Sequence, residues 1–362
     1  PGSDCYLDAG DSKVYCWGII DQPFDFVLHP ITEIQMPAGL QAIDVGSTGQ
    51  YPVTCVQFDD LTVKCFGNNF RSMIGAGTAN LPRSQFATDP ARAMSGLKFA
   101  PNSLLFSILH ICGIHDADRT TVTCWGFPNW GFTHVKTFPT PVRVLYPYVH
   151  GSFAVLEDNS VYQWGYWWYP ELTGEGSGTQ QTFRRWYPEK HVYAIHSVSK
   201  AAVCFEFVDR TFSCIGVNAA NIDFSYGGAM SSVATPHYWP YIKFGKGHGG
   251  QEIRTFAGQV TLLDVCFILY ESGDLGSLSF KTAGNDVQIL KTIPNAVQNP
   301  VVWTMFVARS YGIVYTHKDG SWGAWESDPN YVYPGSVMSN IIDEGRITAI
   351  AGQTGRVSLF QN

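Results

Sequence analysis

The residues best equipped for chemistry are nine cysteines, and eight of them form four local pairs: Cys5/Cys16, Cys55/Cys65, Cys112/Cys124 and Cys204/Cys214. The spacings are 11, 10, 12 and 10 residues, with a polar turn inside each pair. That geometry sets the two thiols across a hairpin from one another. A disulfide is the leading reading, ahead of free core thiols and of a metal site. Structural zinc sites favour two cysteines separated by two to four residues, and no such knuckle occurs. Units without one of the two cysteines mostly lack both: Ala154 and Gln163 hold the two places in one unit, Ile313 and Ala324 in another. Cys266 is the odd thiol, with Ser277 at its expected partner place. It is read either as a buried free thiol or as the site of an intermolecular bridge. Disulfides belong to oxidising compartments, so the chain is expected to be secreted. It opens on PGSD without an initiator Met or a basic-then-apolar leader, the form expected of a mature secreted chain.

Little else in the sequence points to catalysis. Ten histidines are present, among them His110, His115, His191, His196, His237 and His248, but none sits in a metal-binding motif. The carboxylates Asp59-Asp60, Asp116, Asp118 and Glu157-Asp158 lie on hairpin turns. Carboxylates in turns normally accept hydrogen bonds from nearby backbone N–H groups. No nucleophile elbow, phosphate-binding loop or dinucleotide fingerprint occurs. The expectation is a non-enzymatic protein with no catalytic residue, no metal and no cofactor. A formal charge of −7 leaves no basic footprint for nucleic acid. No apolar run is long enough for a transmembrane helix, and no N-glycosylation sequon is present.

Binding chemistry is more visible. Tyr166, Trp167, Trp168, Tyr169, Trp186 and Tyr187 are six aromatics within 22 positions, with Arg184 and Arg185 among them. Trp239 lies in a further cluster, HYWPY. Such residues are either core aromatics in strands or exposed anchors for protein hot spots or sugar stacking. Arg184 and Arg185 add cation–π capacity and donors for acidic groups. The candidate binding surface is Tyr166, Trp167, Trp168, Tyr169, Arg184, Arg185, Trp186 and Trp239.

The elements that must position these residues recur along the chain. Hydrophobic residues make up 45% and aromatics 14%, enough for a large core. Charged residues are only 15%, and 36 Gly with 20 Pro read as short strands and turns. Taking the first cysteine or its equivalent as a marker, units start near 5, 55, 112, 154, 204, 266 and 313, in steps of 50, 57, 42, 50, 62 and 47. A period near 50 with several strands per unit predicts a single β-propeller domain over residues 1–362. Trp17, Phe66, Trp125 and Trp164, each followed by Gly, recur once per unit and are read as packing between blades. The first unit begins directly at its hairpin, whereas the chain ends on the opening of a further unit. The strand 347–352, with Ile347 and Ile350, is therefore expected to close the ring against the first blade. Val357, Leu359 and Phe360 duplicate the place of the first hairpin strand and form a candidate closure or assembly segment.

Several units share the pattern C-x-L-x-x-D-G-x-V-x-C-W-G-x-N-x-x-G-x-L-G-x-G. Its best pieces are Val14–Gly18, Val63–Asn69 with Ile74–Gly77, and Val122–Gly126, and Asp319-Gly320 keeps the turn. This pattern resembles the repeat of the regulator-of-chromosome-condensation family over essentially the whole chain. The resemblance implies a seven-bladed propeller of four-stranded blades. It does not fix function, because the family includes nuclear exchange factors, ubiquitin-ligase modules, inhibitors and secreted proteins. The paired cysteines are similar to those of the secreted, cysteine-paired type. The leading expectation is a secreted propeller that binds a protein partner or copies of itself, in the latter case as a subunit of an extracellular assembly or filament. A lectin-like glycan-binding protein is the alternative, and an intracellular exchange-factor or inhibitor-type propeller the third reading.

Overall fold

A computed structural model describes residues 3–8, 11–18, 20–21, 24, 27, 29–48, 53–75, 79–90, 92–107, 110–126, 134–147, 151–165, 184–199, 202–209, 211–216, 237–240, 253–258, 265–279, 288–293, 297–299, 301–307, 312–317, 319, 322–326 and 349–351. Apart from single helical turns such as Phe70–Ser72 and Arg83–Gln85, the regular elements among the described residues are strands. Two compact units are present, Pro1–His150 with Val332–Asn362, and Gly151–Tyr331.

The first unit holds β1 (Ser3–Leu7), β2 (Val14–Gly18), β3 (His29–Ile34), β4 (Ala42–Ser47), β5 (Val53–Phe58), β6 (Val63–Gly67), β7 (Leu105–Phe106), β8 (His110–Ile114), β9 (Thr121–Gly126), β10 (His134–Thr137) and β11 (Val142–Pro147). β1, β2 and β3 form an antiparallel meander, and a late strand, Ala349–Ala351, pairs antiparallel with the free side of β1. Its partners are Ala351 with Cys5, Ile350 with Tyr6 and Ala349 with Leu7. β7 to β10 form a second four-stranded sheet. Among the described residues β4, β5 and β6 form a sheet of three, which departs from the four-stranded expectation. Its outer place is taken by isolated bridges from Val63 to Ala93 and from Gly67 to Leu81. Pro82 and Pro90 lie beside these bridges and lack the N–H groups a continuous ladder needs.

Burial explains the composition of these strands. Every residue of β5 and β6 is buried, so both faces of the sheet are covered and the strands are not half-polar. The core of this unit joins Cys5, Val14, Cys16, Val45, Val53, Val56, Phe58, Phe66, Phe86, Phe99 and Trp125. Gly46 admits its neighbour's close approach: a Cβ there would stand 2.0 Å from the Phe106 ring. Buried polar groups are tied down. The Gln57 side-chain amide donates to the Phe99 carbonyl at 2.7 Å and its oxygen accepts from Asn102 N–H at 3.2 Å, pinning the chain that leads into β7. The Asp21 carboxylate holds Arg83 at 3.0 Å and also accepts from its backbone N–H at 2.9 Å. The Trp125 indole donates to the Met73 carbonyl at 3.0 Å.

The second unit holds β12 (Gly151–Leu156), β13 (Val161–Gly165), β14 (Arg184–Trp186), β15 (Val192–Ser199), β16 (Ala202–Phe207), β17 (Thr211–Gly216), β18 (His237–Pro240), β19 (Ile253–Gly258), β20 (Val265–Tyr270), β21 (Asp274–Ser279), β22 (Gln288–Thr292), β23 (Val301–Val307), β24 (Gly312–His317) and β25 (Trp322–Glu326). β12, β13 and β14 pair in that order, β15 to β18 and β19 to β22 form four-stranded antiparallel sheets, and β23 to β25 pair as a sheet of three among the described residues. Its described core is aromatic. Phe153 meets Phe205 edge-on at 5.4 Å, and Tyr187 meets Phe205 at 5.1 Å and Phe207 at 5.0 Å in the same manner. Edge-to-face pairs of this kind add about 0.5–1.5 kcal/mol each beyond area burial.

Candidate functional site

The cysteine pairs occupy directly opposed positions on neighbouring strands. Cys5–Cys16, Cys55–Cys65 and Cys112–Cys124 are bonded, and all six residues are buried. Cys204 and Cys214 are likewise register partners on β16 and β17. The first disulfide also meets a polar pair: Thr54 and Ser47 hydroxyls each lie 3.5 Å from Cys5 Sγ and 3.0 Å from one another.

Register corrects the places assigned to the missing cysteines. Gln163 opposes Phe153, not Ala154. Ala324 opposes Val314, not Ile313, and Cys266 opposes Leu278, not Ser277. The cause is common to all three. Hairpin partners are set by the turn, and counting from one landmark residue misses a step whenever the strand before the turn changes phase. In the cysteine-free hairpin, Gln163 accepts a hydrogen bond from the Trp186 indole N–H, while Phe153 packs on Phe205. An aromatic cluster stands where other hairpins carry a disulfide.

That contact also corrects the expected binding surface. Trp186 is 5% exposed, packed beside Tyr187 and Phe205, and is a core residue, because the indole N–H finds an internal acceptor and the ring a buried slot. Tyr187 is buried as well. Arg185 is exposed on β14 opposite Tyr162, and Arg184 stands opposite Gln163. Trp239 lies on β18 opposite Phe212. Tyr166, Trp167, Trp168 and Tyr169 lie outside the described residues, as do Ile347, Val357, Leu359 and Phe360, whereas Ile350 lies opposite Tyr6. Of the recurrent aromatics, Phe66, Trp125 and Trp164 are buried.

The turn carboxylates are structural. Asp60 Oδ1 accepts from Thr62 N–H at 3.0 Å and from its hydroxyl at 2.6 Å. Asp158 does the same with Ser160, at 2.9 and 2.6 Å. Asp118 accepts from the N–H groups of Thr120 and Thr121 at 3.0 and 2.9 Å and from the Thr121 hydroxyl at 2.8 Å. The residue after each acid takes a left-handed conformation, with φ of 69° at Leu61, 52° at Arg119 and 63° at Asn159. Burial pushes all three carboxyls up. The hydrogen bonds outweigh it, helped by nearby positive charge, and hold each below the usual carboxylate range. A carboxylate committed in this way is a poor general base, and among the described residues no group of His, Cys, Asp and Glu is placed to hold a metal ion.

One buried amine stands apart. Lys64 is 1% exposed; its Nζ donates to the Asp89 carbonyl and lies 5.1 Å from the Phe86 ring centroid. Burial, with a smaller push from Arg92, lowers its pKa against the pull of Asp89. The sequence carried no sign of it, since Lys64 occupies a strand position where its neighbours are apolar.

No protein-family profile matches the sequence, and no curated protein does. Solved structures do. Human WBSCR16 superposes with a TM-score of 0.58 at 12% identity, covering 84% of each chain. Prp20p of Saccharomyces cerevisiae gives 0.55 at 16% identity, over 91% of this chain and 81% of that one. The CRINKLY WD40 ectodomain of the Arabidopsis thaliana receptor kinase ACR4 gives 0.50 at 14% identity, over 90% and 91%. The likeness is one of fold. This is an all-β chain with an RCC1-like propeller fold. Among the described residues no helix is long and apolar enough to cross a membrane.

Proposed function

We propose that this chain is a secreted, non-enzymatic binding propeller of seven blades, closed into a ring by the late strand Ala349–Ala351 against β1. One observation carries the reading. The residues that recur from hairpin to hairpin are committed to the scaffold: cysteines bonded to one another, aromatics in the core, acids in their own turns. Recurrent positions therefore hold the scaffold together, and recognition falls to the segments that differ between hairpins. The fold neighbours support a binding role, since Prp20p binds Gsp1p and histones. The plant neighbour is an ectodomain, which agrees with an oxidising compartment. The lectin alternative is weaker with Trp186 in the core, one of its stacking platforms.

Mass spectrometry of unreduced, alkylated protein from its native source tests the compartment. Four local disulfides, including Cys204–Cys214, are expected. Nine alkylated thiols would remove secretion and return the intracellular reading. Light scattering over a range of concentrations tests self-association; a monomer throughout would leave a protein partner of another kind.

A further inference from the structure

Two of the bonded cysteine pairs differ in what surrounds their sulfurs. Cys5 Sγ sits against two hydroxyls of the neighbouring sheet, Ser47 at the end of β4 and Thr54 on β5, each at 3.5 Å. A bonded sulfur carries no proton, so in both contacts the hydroxyl is the donor. Ser47 and Thr54 are register partners, their hydroxyls 3.0 Å apart, and both residues are buried. Each hydroxyl has one proton, so only two of these three contacts are hydrogen bonds at any time. A negative charge on Cys5 Sγ draws both protons to itself. Among the described residues no hydroxyl meets either sulfur of Cys55–Cys65.

The two sulfurs of the first pair are also placed differently. Cys5 lies on β1, which is flanked by β2 on one side and by the late strand Ala349–Ala351 on the other. Cys16 lies on β2, and among the described residues β3 is the last strand beyond it. β3 sets Thr32 opposite Cys16, and the register breaks directly after that pair, before Gly18 meets His29. Thr32 is half-buried, and Pro30 and Glu33 on the same strand are exposed. Both sulfurs belong to buried residues, so any reagent has to wait for a local opening. Such openings begin where a ladder is interrupted and faces solvent, which here is the Cys16 side and not the Cys5 side.

We infer that Cys5–Cys16 is a thiol–disulfide exchange site for a dithiol reductant, attacked at Cys16 from the β3 side with Cys5 as the leaving sulfur. One thiolate of the reductant attacks Cys16 Sγ in line with the S–S bond, which breaks with its electron pair passing to Cys5 Sγ. The new thiolate accepts the hydrogen bonds of Ser47 and Thr54, and a sulfur stabilised in this way leaves faster. The reductant's second thiolate then attacks its own sulfur in the mixed disulfide and releases Cys16. The two protons of the dithiol end on Cys5 and Cys16, its two sulfurs end as a disulfide, and two electrons have passed to the chain. The exchange unties β2 and β3 from β1, while Cys5 keeps its seat against β4 and β5.

In the test, the oxidised full chain meets limiting dithiothreitol, is quenched with acid and alkylated, and each cysteine pair is read by mass spectrometry. Cys5–Cys16 should open about tenfold faster than Cys55–Cys65. Glutathione, a monothiol, should be trapped as a mixed disulfide on Cys16 and not on Cys5. The double variant Ser47→Ala, Thr54→Val should lose that preference, while Cys55–Cys65 opens at the parent's rate. A variant whose sheet is merely loosened would react faster and keep the preference, and that result would overturn the inference. Faster opening of Cys55–Cys65 in the parent chain, or glutathione trapped on its Cys5, would overturn it as well.

Discussion

At the residue scale, three exposed turn carboxylates and one buried amine do opposite things. Asp60, Asp118 and Asp158 are held below the ordinary carboxylate value by donors in their own turns, against a burial effect that pushes them up. A carboxyl with a lowered folded-state pKa stabilises the fold above the unfolded value of about 4 and loses that contribution as pH falls through the folded value. Asp158→Asn keeps one acceptor oxygen but cannot ionise. Its melting midpoint should therefore lie below the parent's at pH 7 and converge with it as pH falls from about 5 toward 2. Parallel curves across that range would exclude a role for the charge. Lys64 has the reverse sign. Its charged form is disfavoured by burial, so the penalty is complete below its lowered folded-state pKa and fades as pH rises toward the unfolded value of about 10.4. Lys64→Met, which keeps the length and removes the charge, should match or exceed the parent's stability at pH 7, and the difference should shrink by pH 10. A Met variant that melts well below the parent would mean that the hydrogen bond to Asp89 and the Phe86 contact outweigh the desolvation.

At the element scale, each hairpin joins a turn that fixes register to a cross-strand pair. The Cys55–Cys65 bond closes a loop of only about ten residues, so replacing both cysteines by Ala should cost about 2–3 kcal/mol of unfolding free energy, read from denaturant titration. Gly46→Ala should be at least as harmful. The added methyl meets the Phe106 ring at 2.0 Å, and overpacking of this kind costs about 1–3 kcal/mol. Combining it with Phe106→Leu, which moves the ring out of the way, should cost less than the sum of the two single changes, whereas additive costs would deny the contact. Much of this scale was legible from sequence. The spacing of the cysteines, the polar turn and the aromatic-glycine step located the hairpins of β1–β2, β5–β6, β8–β9, β12–β13 and β16–β17. The partner of a missing cysteine was not legible, because register slips by one residue without changing composition. The register shifts that skip Ile43 in β4, Tyr193 in β15, Arg254 in β19 and Val302 in β23 were invisible for a related reason: an extra residue in an apolar strand leaves no mark until its partner strand is known.

At the scale of the whole molecule, the repeat period led to the propeller fold and to the buried recurrent aromatics Phe66, Trp125 and Trp164, but composition left open what the aromatics outside the repeat do. Trp186 sits in a run that reads either as core or as exposed anchors, and it is a core residue because Gln163, at a place where other hairpins carry cysteine, supplies the acceptor its indole needs. Long-range pairing was legible only as arithmetic: a first unit without its inner strand and a late segment of the right pattern. The pairing of Ala349–Ala351 with Cys5, Tyr6 and Leu7 joins positions more than 300 residues apart. Its weight can be compared with that of the local disulfides. A cysteine pair restrains one hairpin whose strands are already consecutive. The late strand instead covers the side of β1 that would otherwise be an open edge, and a residue that cannot donate interrupts the ladder there. Ile350→Pro removes an N–H from the middle of this short strand and should lower the melting midpoint more than loss of Cys5–Cys16 does. Hydrogen exchange should show the cause, with protection lost first in β1 and then in β2. A variant that melts like the parent, with β1 still protected, would show that β1 is held by its hairpin alone and that the proposed ring does not depend on this strand.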